Sequence, residues 1–289
     1  MTVEFHGQTA IITGAGGGLG RAHALALAER GAHVVVNDMG GAEEVVQEIR
    51  SLGGSAVADS SDVTDPEAAG ALAALALEHS GRIEILINNA GILRDKSFAK
   101  MDLSDFRKVL DVHLMGSVHC TQAVWPHMLE QRYGRLLMTT SASGIYGNFG
   151  QANYGAAKAA VVGLMNVLAI EGERKGIRVN ALAPTAATQM TEDLLDAETL
   201  AALAPDTISP GALHLVSEHA PTKTILGAGA GVFAVSQMSE SRGIYLPKAE
   251  RTPEMVAARW EKITDMRETT VTGSAFDQTH RYTALAAQA

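Results

Sequence analysis

The run Thr13-Gly14-Ala15-Gly16-Gly17-Gly18-Leu19-Gly20 sits between a stretch that suits a strand, Gln8 to Thr13, and one that suits a helix, Gly18 to Arg30. A glycine-rich turn in that position narrows the possible folds. It lets backbone N–H groups crowd together at a helix N-terminus, where the helix dipole favours an anion such as a pyrophosphate. An ordinary flexible turn uses the same residues, so the surrounding pattern has to decide. That pattern alternates short apolar strands with helices: His33 to Asn37, then the helix Glu43 to Leu52; Ser55 to Ala58, then Pro66 to His79, with proline suited to the first turn. Glu84 to Asn88, Arg135 to Thr140 and Arg178 to Leu182 are further strands, separated by long helices over Ser104 to Gln131 and Ala152 to Lys175. Continuous apolar strands separated by helices predict an α/β fold with a parallel sheet covered on both faces.

No linker or repeat interrupts the chain up to about Gly231, so residues 1–235 read as one catalytic and dinucleotide-binding domain. Beyond it, Val232 to Tyr245 offers one more strand, and Thr252-Pro253 starts a helix running to Met266. The last twenty or so residues are polar and read as a tail. Residues 236–289 are thus expected to be an extension packed on the same domain.

Of the 289 residues, 46% are hydrophobic and 19% charged, which excludes global disorder. The net charge of −9, without any block of Lys or Arg, argues against nucleic acid as a partner. Cys120 is the single cysteine, so no internal disulfide forms, and its helical surroundings suit a buried packing role. No long apolar run follows Glu4 and His6, and the C-terminal Ala287-Gln288-Ala289 is not a Ser-Lys-Leu signal. The expectation is a cytoplasmic protein with no membrane span and no metal.

Asp38 stands eighteen residues beyond Gly20, at the end of the second strand. A carboxylate there accepts hydrogen bonds from the adenosine ribose and repels a 2′-phosphate, so it selects NAD over NADP. Met39 follows, and no arginine stands nearby to hold such a phosphate. Alternatively, Asp38 merely opens a turn with Gly40-Gly41. Asp62-Val63, after the third strand, offers a side chain and a backbone amide to the adenine. In Asn88-Asn89-Ala90-Gly91 the small residues keep a crevice open beside the ribose, while the Asn side chains can lock strand ends together. The expected cofactor-binding residues are Gly14, Gly18, Leu19, Gly20, Asp38, Asp62, Val63, Asn89, Ala90, Gly91 and Pro184, with Tyr154 and Lys158.

Tyr154 and Lys158 are spaced i and i+4, on one helix face. Hydride transfer at a carbonyl carbon requires a matching proton transfer at the oxygen. A free phenol titrates near ~10, and a neighbouring cation, with a positive nicotinamide, lowers that value. Lys158 can also donate to the ribose hydroxyls. Ser141, at the end of the fifth strand, would meet Tyr154 at the substrate oxygen and polarise it, with Ser143 as the local competitor.

With these residues in place, the chain resembles the short-chain dehydrogenases/reductases. The resemblance covers residues 5 to 231 and rests on Thr13-Gly14…Gly18-x-Gly20, Asn88-Asn89-Ala90-Gly91, Ser141, Tyr154-x-x-x-Lys158 and Pro184. It implies a doubly wound (Rossmann) sheet of about seven parallel strands, a Ser141–Tyr154–Lys158 catalytic set, and homodimers or homotetramers built on the two long helices. One departure stands out: where the family has Asn, this chain has His113, in His113-Leu114-Met115-Gly116. If that position acts through its backbone carbonyl, holding a relay water, His substitutes; otherwise His113 is a packed helical histidine or alters the relay.

Asn37-Asp38-x-Gly40-Gly41, Ile92-Leu93-Arg94-Asp95, His113-Leu114-x-Gly116-Ser117 and Ser141 through Tyr154 narrow the resemblance to the dehydrogenase part of peroxisomal D-bifunctional (multifunctional) enzymes. That group also carries His at this position, and its extension resembles Gly227 to Gly231 and Thr252-Pro253-Glu254…Trp260-Glu261-Lys262-Ile263. The implied reaction is oxidation of a (3R)-hydroxyacyl-CoA by NAD⁺, here in a stand-alone, bacterial-type chain. The alternatives are a dehydrogenase of hydroxysteroids or other bulky secondary alcohols, an NADPH-linked 3-oxoacyl carrier-protein reductase, which Asp38 opposes, and a non-catalytic NAD sensor. Pro184 to Pro210, with Met190 and Leu194-Leu195, is expected to cover the substrate, and its Thr185, Thr188 and Thr191 to contact the cofactor or cap a helix. No basic cluster declares a CoA phosphate site.

Overall fold

A computed structural model describes residues 2–186 and 197–287. It divides into two compact units, Met1–Val235 and Ser236–Ala289.

The first unit alternates strand and helix from its start: β1 (Thr9–Thr13), α1 (Gly18–Glu29), β2 (His33–Asn37), α2 (Ala42–Ser51), β3 (Ser55–Asp59), α3 (Pro66–Ser80) and β4 (Ile85–Asn88). There follow α4 (Leu103–Leu110), α5 (Gly116–Gln131), β5 (Gly134–Thr139), α6 (Ala142–Tyr146), α7 (Ala152–Gly172) and β6 (Ile177–Pro184). The unit is completed by α8 (Ala197–Ala202), α9 (Ser209–Val216), β7 (Ile225–Gly229) and β8 (Val232–Ser236), the last of which runs one residue past the boundary. Local chemistry sets several ends. In α3, Asp65 caps the N-terminus by accepting the Glu67 N–H at 2.9 Å, Pro66 occupies the first turn, and Gly81 stops the helix in the left-handed region at φ +78°.

The strands form one sheet in the order β3-β2-β1-β4-β5-β6-β7-β8. Pairing from β3 through β7 is parallel, with Ile12 opposite Val36 and Ile87, and Leu137 opposite Asn180. The eighth strand goes beyond the expected seven. Ala230 and Gly231, both at positive φ, turn the chain straight back after β7, and so short a link joins only antiparallel strands.

Side chains alternate across the sheet, which explains why neither face reads as polar. Ile12, Val34, Val36, Ile87 and Leu137 pack beneath α1, α2 and α9; Ile11, Val35, Leu86, Leu136 and Val179 pack against α3, α5 and α7. The segment Ala152–Lys175 is long and apolar enough to cross a membrane by length and composition. One face of it nevertheless lies on β5 and β6, burying Ala157, Val161 and Met165.

The long helix expected from Ser104 to Gln131 is not uniform. Between α4 and α5 the chain makes a turn of π-helix, Asp111–Met115, which carries His113. A π-turn inserts a residue without interrupting apolar periodicity enough to be read from sequence, and such turns cluster at functional sites.

His23 ties α1 to α9: its Nδ1 lies 2.9 Å from Ser209 Oγ, and the ring is fully buried. Burial pushes its pKa down to about 4 from an ordinary value of 6.5. As pH falls from 6.5 to 4 the unfolded chain takes up a proton that the folded one refuses, so stability must fall in that window. The expected loss from His23 alone is about 3 kcal/mol, read as a lower urea midpoint at pH 4 than at pH 7.

The second unit contains β9 (Glu240–Ser241), α10 (Pro253–Ala258), α11 (Trp260–Ile263), β10 (Thr269–Thr270) and α12 (Ala275–Ala287), with β9 and β10 antiparallel. Two expectations need correction. The helix expected over Pro253 to Met266 is broken at Arg259, and the expected polar tail is the helix α12. Ser274 starts α12 by accepting the Asp277 N–H at 3.2 Å, and Glu240 holds its side chains Gln278 and Arg281. Those partners lie more than thirty residues away, which is why composition alone suggested a tail.

Candidate active site

The C-terminal ends of β1, β2, β4 and β5 meet the glycine-rich turn and the start of α7. Gly14 adopts φ +62°, and a Cβ on it would lie 2.7 Å from Ala90 Cα; one on Gly20 would lie 2.2 Å from Gly14 O. The turn is therefore as tight as a backbone can be. Its helix, α1, has no side-chain cap and no acidic residue in its first turn, so its N–H groups face outward for a phosphate.

Asp38 does both things its position allows. Its Oδ2 accepts the Gly16 N–H at 3.0 Å and its Oδ1 the Gly40 N–H at 2.9 Å, so it anchors the turn while remaining half-buried at the crevice. Each oxygen keeps a lone pair for a ribose hydroxyl. The Asn89 amide donates to Thr13 O at 3.1 Å and Gly14 O at 3.0 Å, and Asn88 donates to Thr121 Oγ1 at 3.0 Å, so these side chains lock strand ends. Thr13 was not anticipated: its hydroxyl accepts the N–H groups of Asn89 at 3.0 Å and Ala90 at 3.1 Å, joining β1 to the end of β4. A threonine ending a strand carries no sequence signal for that role.

The other expected cofactor contacts divide. Asp62 is exposed and its Oδ1 accepts both the N–H and the hydroxyl of Thr64, at 2.9 and 2.8 Å, closing its own turn. The Val63 side chain is buried against Gly116. Gly18 has φ +52°, Leu19 packs on the core beside it, and Pro184 is the half-buried last residue of β6. Thr185 pairs its N–H with Ala228 O at 2.7 Å; Thr188, Met190, Thr191, Leu194 and Leu195 lie outside the described residues. The tight glycine turn, the uncapped helix and the Asp38 carboxylate together fit a dinucleotide.

At the chemical end, Ser141 terminates β5 and caps α6, its Oγ accepting the Ser143 N–H at 3.2 Å while hydrogen-bonding with the Tyr154 phenol. Ser143, the competitor, instead gives its hydroxyl to Gln151 Oε1 at 2.6 Å. Lys158 is 3% exposed; its Nζ donates to Thr139 O at 2.5 Å and lies 5.5 Å from the Tyr154 ring centroid.

The electrostatics differ from expectation. Burial raises the Tyr154 pKa above its ordinary value, with the Asp95 charge adding to the rise and the Ser141 hydrogen bond opposing it. Burial lowers Lys158 to about 7. Burial, not Lys158, therefore sets the direction of the phenol's shift: Lys158 sits over the ring face, and with a pKa of about 7 it is partly protonated at physiological pH.

His113 lies edge-on to Tyr154, with ring centroids 5.2 Å apart. Its Nε2 is 3.0 Å from Ile92 N and 2.8 Å from Ile92 O, and Gly91 leaves it room, since a Cβ there would fall 2.3 Å from the ring. Burial, and then the Lys158 charge, lower its pKa to about 3, so the imidazole is neutral. Its backbone carbonyl accepts the Ser117 hydroxyl at 2.7 Å.

Comparison with known proteins agrees with this geometry. A family model described as short chain dehydrogenase matches residues 8–199. The peroxisomal multifunctional enzyme type 2 of Mus musculus is 47% identical over 277 residues, covering 91% of this chain and 37% of the mouse protein. The solved full-length peroxisomal multifunctional enzyme type 2 of Drosophila melanogaster superposes with a TM-score of 0.87 at 38% identity, over 99% of this chain and 50% of that one. The chain thus spans half or less of these two proteins. A 7α-hydroxysteroid dehydrogenase solved with NADH and a 7-oxo bile acid superposes with a TM-score of 0.73 at 34% identity, over 79% of this chain and 95% of that one. Glycine turn, strand-end serine, and tyrosine and lysine one helical turn apart thus coincide with the matched region, and the chain belongs to the short-chain dehydrogenase family of nicotinamide-dependent oxidoreductases.

Proposed function

We propose that this oxidoreductase converts a (3R)-hydroxyacyl-CoA to the 3-oxoacyl-CoA, with NAD⁺ as oxidant and NADH and a proton as co-products. The observation that carries the substrate reading is the extent of the likeness. It runs with the multifunctional enzymes over 91–99% of the chain, through the second unit, whereas the hydroxysteroid dehydrogenase covers 79%. NAD⁺ is the oxidant favoured by Asp38, because a carboxylate at the end of the second strand accepts ribose hydroxyls and repels a 2′-phosphate.

A nicotinamide cofactor held by the glycine turn and Asp38 would supply the acceptor for the substrate's hydride. The residues of the chain handle the proton. Ser141 donates a hydrogen bond to the substrate oxygen, and the Tyr154 oxygen accepts the hydroxyl proton in its phenolate form, which the positive charge of a bound oxidised nicotinamide would favour against the effect of burial. Lys158, with a pKa of about 7, can take up and release a proton at physiological pH and would hold the ribose hydroxyls of the cofactor. His113 holds Ile92 and the edge of the Tyr154 ring, and its neutral state adds no charge.

Assembly as a homo-oligomer completes the proposal. The outward face of α7 presents Ala156, Ala159, Gly163, Val167 and Ile170, a small and apolar stripe with Val167 and Ile170 about half exposed. A second copy of that helix would cover it.

Steady-state turnover with NAD⁺ across (3R)-hydroxyacyl-CoAs, hydroxysteroids and a 3-hydroxyacyl carrier protein tests the substrate. The CoA esters should have the highest kcat/KM; a steroid exceeding them would transfer the assignment to the hydroxysteroid reading.

A further inference from the structure

A polar chain runs alongside the segment that leads into α7 and Tyr154. After β4, Asp95 Oδ2 accepts Gln151 Nε2 at 2.7 Å. Gln151 Oε1 in turn accepts the Ser143 hydroxyl at 2.6 Å and Asn148 Nδ2 at 3.1 Å. Two more bonds run alongside: Asn153 Nδ2 to Arg94 O at 2.9 Å, and the Lys96 N–H to Gly150 O at 2.9 Å. Together they clamp the segment that enters α7 to the loop following β4, within one helical turn of the phenol.

The clamp is made with a charge where a neutral group would serve. Asp95 Oδ1 is shielded from solvent and has no hydrogen-bond partner among the described residues. A buried acceptor left this way costs stability and calls for an explanation. The cations on either side do not neutralise it. Lys96 turns to Asp102 at 2.9 Å and Asp105 at 3.6 Å, and Arg94 to Asp105 at 3.9 Å. The partner Asp95 does have is an uncharged amide.

We propose that Asp95 is a positioning residue for the reaction: held by Gln151, it fixes the entry to the catalytic helix and, as an uncompensated carboxylate, sets the pH range in which Tyr154 accepts a proton. This rests on Tyr154 being the acid–base group. Among the described residues, Lys158 from its own helix, His113 from the π-turn and Ser141 at the head of α6 contact Tyr154, and Asp95, in the loop after β4, acts on it through its charge. His113 is neutral and Ser141 uncharged, so Asp95 supplies the one negative charge. A negative charge disfavours the phenolate, and its influence on Tyr154 runs in that direction.

The test is the pH dependence of kcat/KM for oxidation with NAD⁺, at fixed ionic strength, in wild type, Asp95→Asn, Asp95→Glu and Tyr154→Phe. Asn keeps an acceptor for Gln151 but removes the charge, so the acid limb should move to lower pH by about 0.5–1 unit. Glu retains the charge and should leave the limb in place. An unmoved limb in Asp95→Asn, or an equal movement in Asp95→Glu, would overturn the proposal. If Asp95→Asn fails to fold, Asp95→Ser removes the same charge and must move the limb likewise. Full turnover in Tyr154→Phe would instead defeat the acid–base assignment beneath it.

Discussion

Replacing Tyr154 with Phe is expected to lower kcat by about 10²–10⁴-fold while leaving NAD binding within about twofold of wild type. The phenol oxygen is the only atom removed, and the ring, edge-on to His113 and under Lys158, stays packed. No other described group can replace that oxygen. Ser141 is committed as the cap of α6, and His113, with a pKa near 3, binds Ile92 through the one ring nitrogen that has a partner. Lys158 points its ammonium at Thr139 O. The proposed cofactor contacts, the glycine turn, Asp38 and Asn89, make their hydrogen bonds away from the phenol oxygen. Isothermal titration with NAD and single-turnover rates separate the two effects. A fall in kcat matched by an equal loss of NAD affinity would point to a collapsed site and away from a missing proton acceptor.

The second large effect concerns cofactor choice. Asp38→Asn combined with Met39→Arg should shift the ratio of kcat/KM for NAD over NADP by about 10²–10⁴-fold towards NADP. Removing the repelling carboxylate and adding a guanidinium contact to the phosphate each contribute about 1.5–3 kcal/mol. Asn is preferable to Ala because Asp38 also receives the N–H groups of Gly16 and Gly40, and losing both acceptors would loosen the turn for either cofactor. Met39 is 74% exposed, so an arginine fits there without repacking. An unchanged ratio would mean that Asp38 only closes its turn.

Much of this architecture is legible in the sequence because the sheet is buried on both sides. Strands such as β2 are built on an unbroken apolar run, Val34–Val36, and the helices between them carry their own stop and start residues, as Asp65, Pro66 and Gly81 do for α3. The glycine turn is legible for the same reason, since only glycine tolerates the approach of Ala90 and Gly14 O. What was not legible depends on partners distant in sequence. The π-turn that aims His113 at Ile92 leaves the apolar pattern of the helix intact. Thr13, Gln151 and Asp95 act through contacts 8 to 77 residues away. The helix α12 depends on Glu240, and the direction of the Tyr154 shift depends on burial, which spacing to a lysine does not reveal.

The proposed roles of Asp38, Ser141, Tyr154 and Lys158 make the site one that takes a hydride and a proton from a secondary alcohol, and the identity of that alcohol is open to direct measurement. The most direct measurement is kcat/KM with NAD⁺ for the (3R) and (3S) epimers of one medium-chain 3-hydroxyacyl-CoA. The account predicts oxidation of the (3R) epimer with a preference of at least about 10²-fold, since the misplaced epimer cannot bring both hydride and proton into line. Preferential oxidation of the (3S) epimer, or no turnover of either, would contradict it.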